Sequence, residues 1–345
     1  MPVDLSRSLE FSEKLLEWVR GKGRILIFCH DHPDPDSLAA AYALQHLFLV
    51  KTGQEATIAF GGIIGRGENR NMVRLLEIDA VNVDSLDLNE FSVFCSVDTQ
   101  PGTGNNSIPA DCPVEVVIDH HPLRESTNQY RMVDVRVDYG ASATILFEYL
   151  KAQDITICTK LATILFYAIK SETQDLGREW SKADREAYLN LVPLVNNHIL
   201  YEITHPKVPR GYFGSFNQAI ESARVYGDVL VFNLFSIEVP DMVAEMADFL
   251  MRFDGIDVAF GMGHFEEMEI LSLRTCSEEI NAGDLIQKVV DGLGTAGGHG
   301  MIAGGQIRPF SSDKAVQREL ELSLTRRLLT ILGRDAGRGR KLLSG

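Results

Sequence analysis

The chain has 345 residues, 45% hydrophobic and 23% charged, which is enough apolar material to bury the cores of two domains. Acidic residues outnumber basic ones by 48 to 33, and the net charge of -15 argues against a protein that grips long nucleic acid by its phosphates. The five cysteines form no CxxC pair, and no apolar run is long enough to span a membrane. We therefore expect a cytoplasmic protein without a disulfide framework or a zinc knuckle.

The first 175 residues alternate short apolar runs with helical patterns. Four runs are predicted as buried strands because they are short, continuous and rich in β-branched residues: RILIFC (24–29), EATIAF (55–60), FSVFCSV (91–97) and VEVVI (114–118). Helices are predicted over 37–50, 141–152 and 159–171. This alternation is typical of a mainly parallel α/β sheet.

A second, smaller α/β domain is predicted over 223–345, after a first domain over 1–195 and a linker over 196–222. The linker is inferred from HPKVPRGYFG, which holds two prolines and two glycines. The second domain continues through DVLVFNLF, VPDMVAEMADFLMRF, IDVAFGMG and MEILSLRT to the glycine-rich GLGTAGGHGMIAGGQI. An amphipathic helix, VQRELELSLTRRLLTILGR, and a frayed tail are expected at its end.

Three of the predicted strands run directly into acidic or histidine residues. RILIFC is followed by His30, Asp34 and Asp36, FSVFCSV by Asp98, and VEVVI by 119–121, which reads DHH. Because the carboxyl ends of parallel strands share one edge of a sheet, these side chains are expected to converge there. A single acidic turn would be a solvated loop, and Asp98 alone a helix cap, but three such signals at strand ends favour a metal site.

The predicted ligands are carboxylates and imidazoles without thiolates, a set that suits Mn²⁺, Mg²⁺ or Fe²⁺. Their number exceeds what one ion needs once water and substrate are bound. Two ions about 3.5–4 Å apart, bridged by one carboxylate, would use them economically. Such a pair activates water and neutralises phosphoryl oxygens.

The motifs HDHPDPDS, VDTQ and VIDHHP resemble successive motifs of the DHH phosphoesterase superfamily. LRT followed by GGHGMIAGG resembles the DHH-associated C-terminal domain, so that the resemblance extends to about residue 307. The resemblance implies a site of two divalent cations, usually Mn²⁺ with Mg²⁺ as the alternative, in a cleft between the two domains. It assigns His30, Asp34 and Asp98 to one ion, and Asp36, Asp98 and His120 to the other.

The resemblance also implies roles for the remaining residues of the DHH motif. Asp119 would orient the adjacent histidine, and His121 would contact the substrate phosphate. Asp98, Asp119, His120 and His121 together are the predicted catalytic residues. Ser142 is expected to cap a helix rather than to contact substrate.

The last metal ligand departs from the family pattern, in which an aspartate follows a helix. The matching stretch, AIKSETQDLGR, places Glu172 at that position and offers Asp175 three residues later. Glu172 is slightly favoured, because a glutamate is only one methylene longer, but both residues stay candidates.

In the second domain we predict a clamp for the far end of the substrate. A glycine-rich turn, which includes Gly297 and Gly298, lets the backbone approach an anion closely. His299 would be a directional donor there, and Arg274 offers the planar fork that phosphate prefers.

These features predict a metal-dependent phosphoesterase with a water nucleophile. The length and acidic balance favour short oligonucleotides or nucleotide phosphates as substrates: nano-RNA, pAp, or linear or cyclic dinucleotides. An exopolyphosphatase and a nucleotide-binding sensor with weak or no turnover are the alternatives. No long duplex and no membrane are expected as partners, and the terminal helix offers a surface for a homodimer.

Overall fold

The computed structural model describes residues 4–308, 311 and 313–343, except for the side chain of His299. Contacts divide the chain into two compact units, Met1–Pro206 and Lys207–Gly345. This boundary lies inside the range that the sequence predicts as a linker.

A parallel sheet forms the centre of the first unit. Its strands are β1 (Ile25–Phe28), β2 (Ala56–Phe60), β3 (Ala80–Asn82), β4 (Val93–Val97), β5 (Val116–Asp119) and β6 (Met132–Val135). The order is β3-β2-β1-β4-β5-β6, and every pairing is parallel. β2 and β3 therefore lie on one side of β1, and β4 to β6 lie on the other, which makes β1 and β4 a topological switch point.

Helices cover the core that this sheet forms. They are α1 (Ser6–Val19), α2 (Pro35–Thr52), α3 (Gly67–Leu75), α4 (Ser142–Ala152), α5 (Thr159–Glu172), α6 (Lys182–Leu191) and α7 (Asn197–Thr204). Short 3₁₀ turns lie at Val83–Ser85, Leu88–Glu90, Glu125–Gln129 and Val192–Leu194. Residues of β1, β4 and β5 are buried throughout, as strands covered on both faces require.

The predicted parallel α/β fold of this unit is confirmed, with the four predicted strands in place and β3 and β6 in addition. The two additional strands have only three and four residues and are partly exposed. Their apolar runs are therefore too short and too mixed to stand out in the sequence.

In its described residues, the second unit contains a seven-stranded sheet and four helices. Its strands are β7 (Arg224–Tyr226), β8 (Val229–Ser236), β9 (Val258–Phe265), β10 (Met268–Thr275), β11 (Thr295–His299), β12 (Ile302–Ile307) and β13 (Arg340–Lys341). Its helices are α8 (Arg210–Ser222), α9 (Asp241–Leu250), α10 (Ala282–Val290) and α11 (Lys314–Ile331). The order is β11-β12-β10-β9-β8-β7-β13, and among these described strands only β8 and β9 pair in parallel.

Three local expectations differ from the structure. The range 196–222 holds α7 and α8, so that only the short proline-containing segment between them lacks helix. Gly297 and Gly298 lie in strand β11 rather than in a turn, because β12 supplies the pairing partners. The end of the chain is not frayed as far as it is described, since β13 pairs with β7.

None of the described helices combines the length and the apolar composition that crossing a membrane requires.

Candidate active site

The carboxyl ends of β1, β4 and β5 bring the predicted metal ligands of the first unit together. His30 follows β1, Asp98 follows β4, and His120 follows β5. Asp34 is the N-cap of α2, where its Oδ1 accepts the Ser37 backbone N–H at 2.9 Å. The strand ends thus carry the Asp98 carboxylate and two imidazoles, and the start of α2 carries the Asp34 carboxylate.

Asp98 lies between two imidazoles. Its Oδ2 is 3.6 Å from His30 Nε2, and its Oδ1 is 3.4 Å from His120 Nε2. Asp34 Oδ1 lies 3.6 Å from the same His30 nitrogen, and Asp36 Oδ2 lies 4.0 Å from His120 Nε2. Two atoms that each stand about 2.1 Å from a shared cation are about 3.0–3.4 Å apart, close to these separations.

Two triads satisfy the spacing of a metal site among the described residues. His30, Asp34 and Asp98 form one, and Asp98, His120 and His121 form the other, with candidate ligand atoms within 4.8 Å of one another. Asp98 belongs to both triads. The second triad contains His121 where the sequence predicts Asp36.

The carboxylate of Asp36 instead accepts hydrogen bonds from the first backbone N–H groups of α4. Its Oδ2 accepts the Ser142 N–H at 2.7 Å, and its Oδ1 accepts the Ala143 N–H at 2.8 Å. The Ser142 hydroxyl donates to Asp98 Oδ1 at 3.0 Å, so it does not cap the helix as expected. The first backbone N–H groups of α4 thereby orient one carboxylate, and its first side chain orients another.

The two neighbouring histidines are held through their Nδ1 atoms. His120 Nδ1 lies 3.1 Å from the Tyr139 carbonyl, which directs Nε2 toward Asp98 and Asp36. His121 Nδ1 lies 2.8 Å from Asp119 Oδ1. The orienting role predicted for Asp119 therefore corresponds to a contact with the ring of His121, whereas its contact with His120 is through the backbone N–H.

Burial makes the negative charge of this site costly. It raises the pKa of Asp98 well above its usual value, with further increases from Asp36 and Asp34. Burial and then Asp34 raise the pKa of Asp36 to about 7. Burial lowers the pKa of His30, but Asp34, with smaller contributions from the Asp31 carbonyl and Glu172, raises that pKa to about 9 overall. The site thus gathers more carboxylates than the histidines beside them neutralise.

A divalent cation fits this donor set. Oxygen and imidazole ligands converge without a thiolate, at separations suited to coordination, and the buried carboxylates need a positive charge. The hydrogen bond between His120 Nδ1 and a backbone carbonyl fixes the orientation of the ring, as is usual for metal-ligating histidines.

Glu172 and Asp175 have different surroundings. Burial raises the pKa of Glu172 to about 7, and Asp34 and Asp36 add to that increase, which places its carboxylate within electrostatic reach of the site. Asp175 is exposed and contacts Lys170 and the Tyr188 hydroxyl.

The residues predicted to clamp a substrate belong to the second unit. Arg274 is buried in β10, where its Nε donates to Asp248 Oδ1 at 2.5 Å and its Nη1 donates to Ser272 Oγ at 2.9 Å. Gly297 is exposed in β11, and a Cβ added to Gly298 would lie 2.3 Å from the Ile302 carbonyl oxygen. The side chain of His299, the predicted donor, lies outside the described part of the chain.

The metal-free protein is expected to lose stability as the pH rises from about 5 to about 8. Carboxylates whose folded pKa is raised bind protons that the unfolded chain has already released, so stability falls between the unfolded and folded pKa values. The raised pKa of His30 acts in the same direction above its unfolded value of 6.5. Thermal unfolding in EDTA should therefore show a Tm about 5 °C lower at the higher pH.

Added Mn²⁺ should raise this Tm more at the higher pH, because the ligands must lose protons to bind it. An increase that is equal at both pH values would contradict the assignment of these carboxylates as ligands.

Comparisons with known proteins agree with the geometry of the first unit. Residues 24–169 match the model of the DHH family, N-terminal domain. An uncharacterised protein of Methanocaldococcus jannaschii is 33% identical over 319 residues, which are 90% of this chain and 65% of that protein. A probable manganese-dependent inorganic pyrophosphatase of Enterococcus faecalis is 24% identical over 150 residues, 44% of this chain and 48% of its own length. The chain thus spans about half to two thirds of these relatives.

The fold of the whole chain is also similar to a solved structure. The crystal structure of an exopolyphosphatase-related protein from Bacteroides fragilis superposes with a TM-score of 0.72 at 14% identity. The match covers 94% of this chain and 98% of that one. At this identity the likeness concerns the fold.

Proposed function

We propose that this chain, whose residues 24–169 match the DHH family, N-terminal domain, is a metal-dependent phosphoesterase. Its substrates would be short oligonucleotides or nucleotide phosphates. The observation that carries the proposal is the position of Asp98, whose two carboxylate oxygens face the Nε2 atoms of His30 and His120. One bridging carboxylate between two histidine-containing groups is the arrangement that a pair of cations uses.

Two divalent cations are proposed at this site. His30, Asp34 and Asp98 would hold one, and Asp36, Asp98 and His120 would hold the other, with Glu172 as the further ligand. The manganese dependence named for the Enterococcus relative supports Mn²⁺ as the metal. Such cations would act as Lewis acids: they would neutralise the charge of phosphate oxygens and lower the pKa of bound water.

The protein residues would position the reacting groups. In the hydrolysis, a water oxygen forms the new bond to phosphorus, the bond to the leaving oxygen breaks, and that oxygen receives a proton. His121, held by Asp119, would bind a non-reacting phosphate oxygen. Ser142 would hold Asp98 in place, which the sequence alone does not indicate.

The charge of the protein supports short substrates. With 48 acidic and 33 basic residues, the chain repels long polyanions, whose binding depends on many phosphate contacts. A dinucleotide or pAp presents only a few charges, which two cations can neutralise locally.

Hydrolysis assays with the purified chain test this proposal. A 5'-labelled dinucleotide, a pentanucleotide and pAp are incubated with Mn²⁺, with Mg²⁺ and with EDTA, beside pyrophosphate and polyphosphate. We expect metal-dependent turnover that declines with oligonucleotide length. Turnover of polyphosphate alone would identify an exopolyphosphatase instead, and nucleotide binding without turnover by the Mn²⁺-loaded protein would identify a sensor.

A further inference from the structure

Gln100 lies two residues after Asp98 and is only 1% exposed. Its side chain makes four hydrogen bonds. Its Nε2 donates to Asp119 Oδ2 at 2.7 Å and to the Pro122 carbonyl at 3.1 Å. Its Oε1 accepts the Arg124 N–H at 3.0 Å and the Thr127 hydroxyl at 2.7 Å. The amide thereby uses both donor hydrogens and both acceptor lone pairs.

The bond from Gln100 fixes the carboxylate that holds His121. Asp119 Oδ2 accepts from Gln100, while Asp119 Oδ1 accepts from His121 Nδ1 at 2.8 Å. Asp119 Oδ1 also accepts the backbone N–H groups of His120 and His121, at 2.8 and 3.2 Å. The carboxylate can therefore rotate only if the Gln100 bond breaks.

The same side chain also fixes the loop that follows the two histidines. Its bonds to Pro122, Arg124 and Thr127 join the end of β4 to the segment after β5. One amide thus sets both the orientation of the Asp119 carboxylate and the path of the backbone that carries His121.

We infer that Gln100 is a positioning residue of the proposed phosphoesterase, which directs the His121 ring toward the substrate phosphate through Asp119. The inference rests on the proposed function for its effect on turnover, but the orientation of His121 can be measured without turnover. A glutamate at this position would keep the acceptor oxygen for Thr127 and place a second carboxylate against Asp119.

The test compares Gln100→Glu and Gln100→Leu with Thr127→Val as the matched control. Thr127→Val removes one bond to the same amide, on its Oε1 side, and leaves the bond to Asp119 in place. Both Gln100 variants should lower kcat/KM about tenfold or more, with Mn²⁺ affinity changed by less than about threefold. The control should stay within about threefold of the unmodified protein.

A double-mutant cycle with His121→Ala separates positioning from general damage. If Gln100 acts through His121, Gln100→Glu should cost less than about twofold once His121 is absent. An equal loss in both backgrounds would overturn the inference, because the effect would then bypass His121.

Histidine ¹⁵N NMR of the metal-free protein gives a readout that does not depend on activity. His121 Nδ1–H should give a downfield proton signal from its bond to Asp119, and this signal should weaken in Gln100→Leu, which leaves Asp119 Oδ2 without its donor, but persist in Thr127→Val. An unchanged signal in Gln100→Leu would overturn the inference. If no substrate is turned over while the signal weakens, the proposed function fails and the positioning role stands.

Discussion

Replacement of Asp98 by asparagine is expected to lower kcat by about 1000-fold or more, because the carboxylate shared by both metal groups is lost. Asn keeps the shape of the side chain and tolerates the left-handed backbone at this position, where φ is +57°. The loss would therefore reflect charge rather than a displaced loop. Kinetics with the best substrate and metal content by mass spectrometry measure both effects.

The same variant should make the metal-free protein more stable at about pH 8. Burial, Asp36 and Asp34 raise the pKa of Asp98, so its ionised form opposes folding above the pKa of the unfolded chain. Asn removes that cost, and the Tm in EDTA should rise while activity disappears. A higher Tm together with lost activity distinguishes loss of the site from misfolding, which would lower both.

Asp175→Asn is the matched control, since Asp175 is exposed and bonded to Lys170 and Tyr188. It should keep turnover and Mn²⁺ content within about twofold. A loss as large as that of Asp98→Asn would restore Asp175 as the last ligand in place of Glu172.

Replacement of Arg136 by methionine is expected to destabilise the first unit by about 3–5 kcal/mol, because it leaves the buried carboxylate of Glu148 without its cation and the buried carboxylate of Asp134 with the largely exposed Arg7 alone. Arg136 is 3% exposed, Asp134 1% and Glu148 2%. The Arg136 Nη2 donates to Asp134 Oδ2 at 2.6 Å, and its Nη1 donates to Glu148 Oε2 at 2.6 Å. Urea unfolding, followed by a probe in the first unit, measures the change.

Arg24→Met provides the comparison, because Arg24 and its partner Glu90 are both more than half exposed. Loss of this exposed ion pair should lower the free energy of unfolding by at most about 1 kcal/mol. A triple variant, Arg136→Met with Asp134→Asn and Glu148→Gln, should recover part of the stability lost in Arg136→Met. If Arg136→Met alone cost as little as Arg24→Met, the buried network would not stabilise the fold.

The Arg136 network also supports the candidate site. The backbone from Arg136 to Ser142 supplies the Tyr139 carbonyl for His120 and the N–H of Ser142 for Asp36. Arg136→Met should therefore weaken Mn²⁺ binding as well as folding.

Much of the candidate site could be predicted from the sequence because three of the predicted ligands, His30, Asp98 and His120, stand just after strand ends. Apolar runs identify β1, β4 and β5, and parallel strands bring the residues after their carboxyl ends to one edge. His30, Asp98 and His120 follow from that rule alone. The helix predicted over 37–50 corresponds to α2, whose N-cap is Asp34.

Only the tertiary structure decided which distant groups complete the site. Ser142 is 44 residues from Asp98 and 106 from Asp36, and Gln100 is 19 from Asp119. No local pattern encodes such pairs, since each depends on how the loops and helix ends meet at the sheet edge.

The sequence by itself thus determined the parallel sheet and the residues at its strand ends, because strand patterns and their following residues are local. The tertiary structure decided that Glu172 lies within electrostatic reach of Asp34 and Asp36, that Asp175 contacts Lys170 and Tyr188, and that Gly297 and Gly298 lie in a strand. These outcomes depend on the direction of a helix end and on the availability of a pairing edge. Both are consequences of packing, which joins residues far apart in the chain.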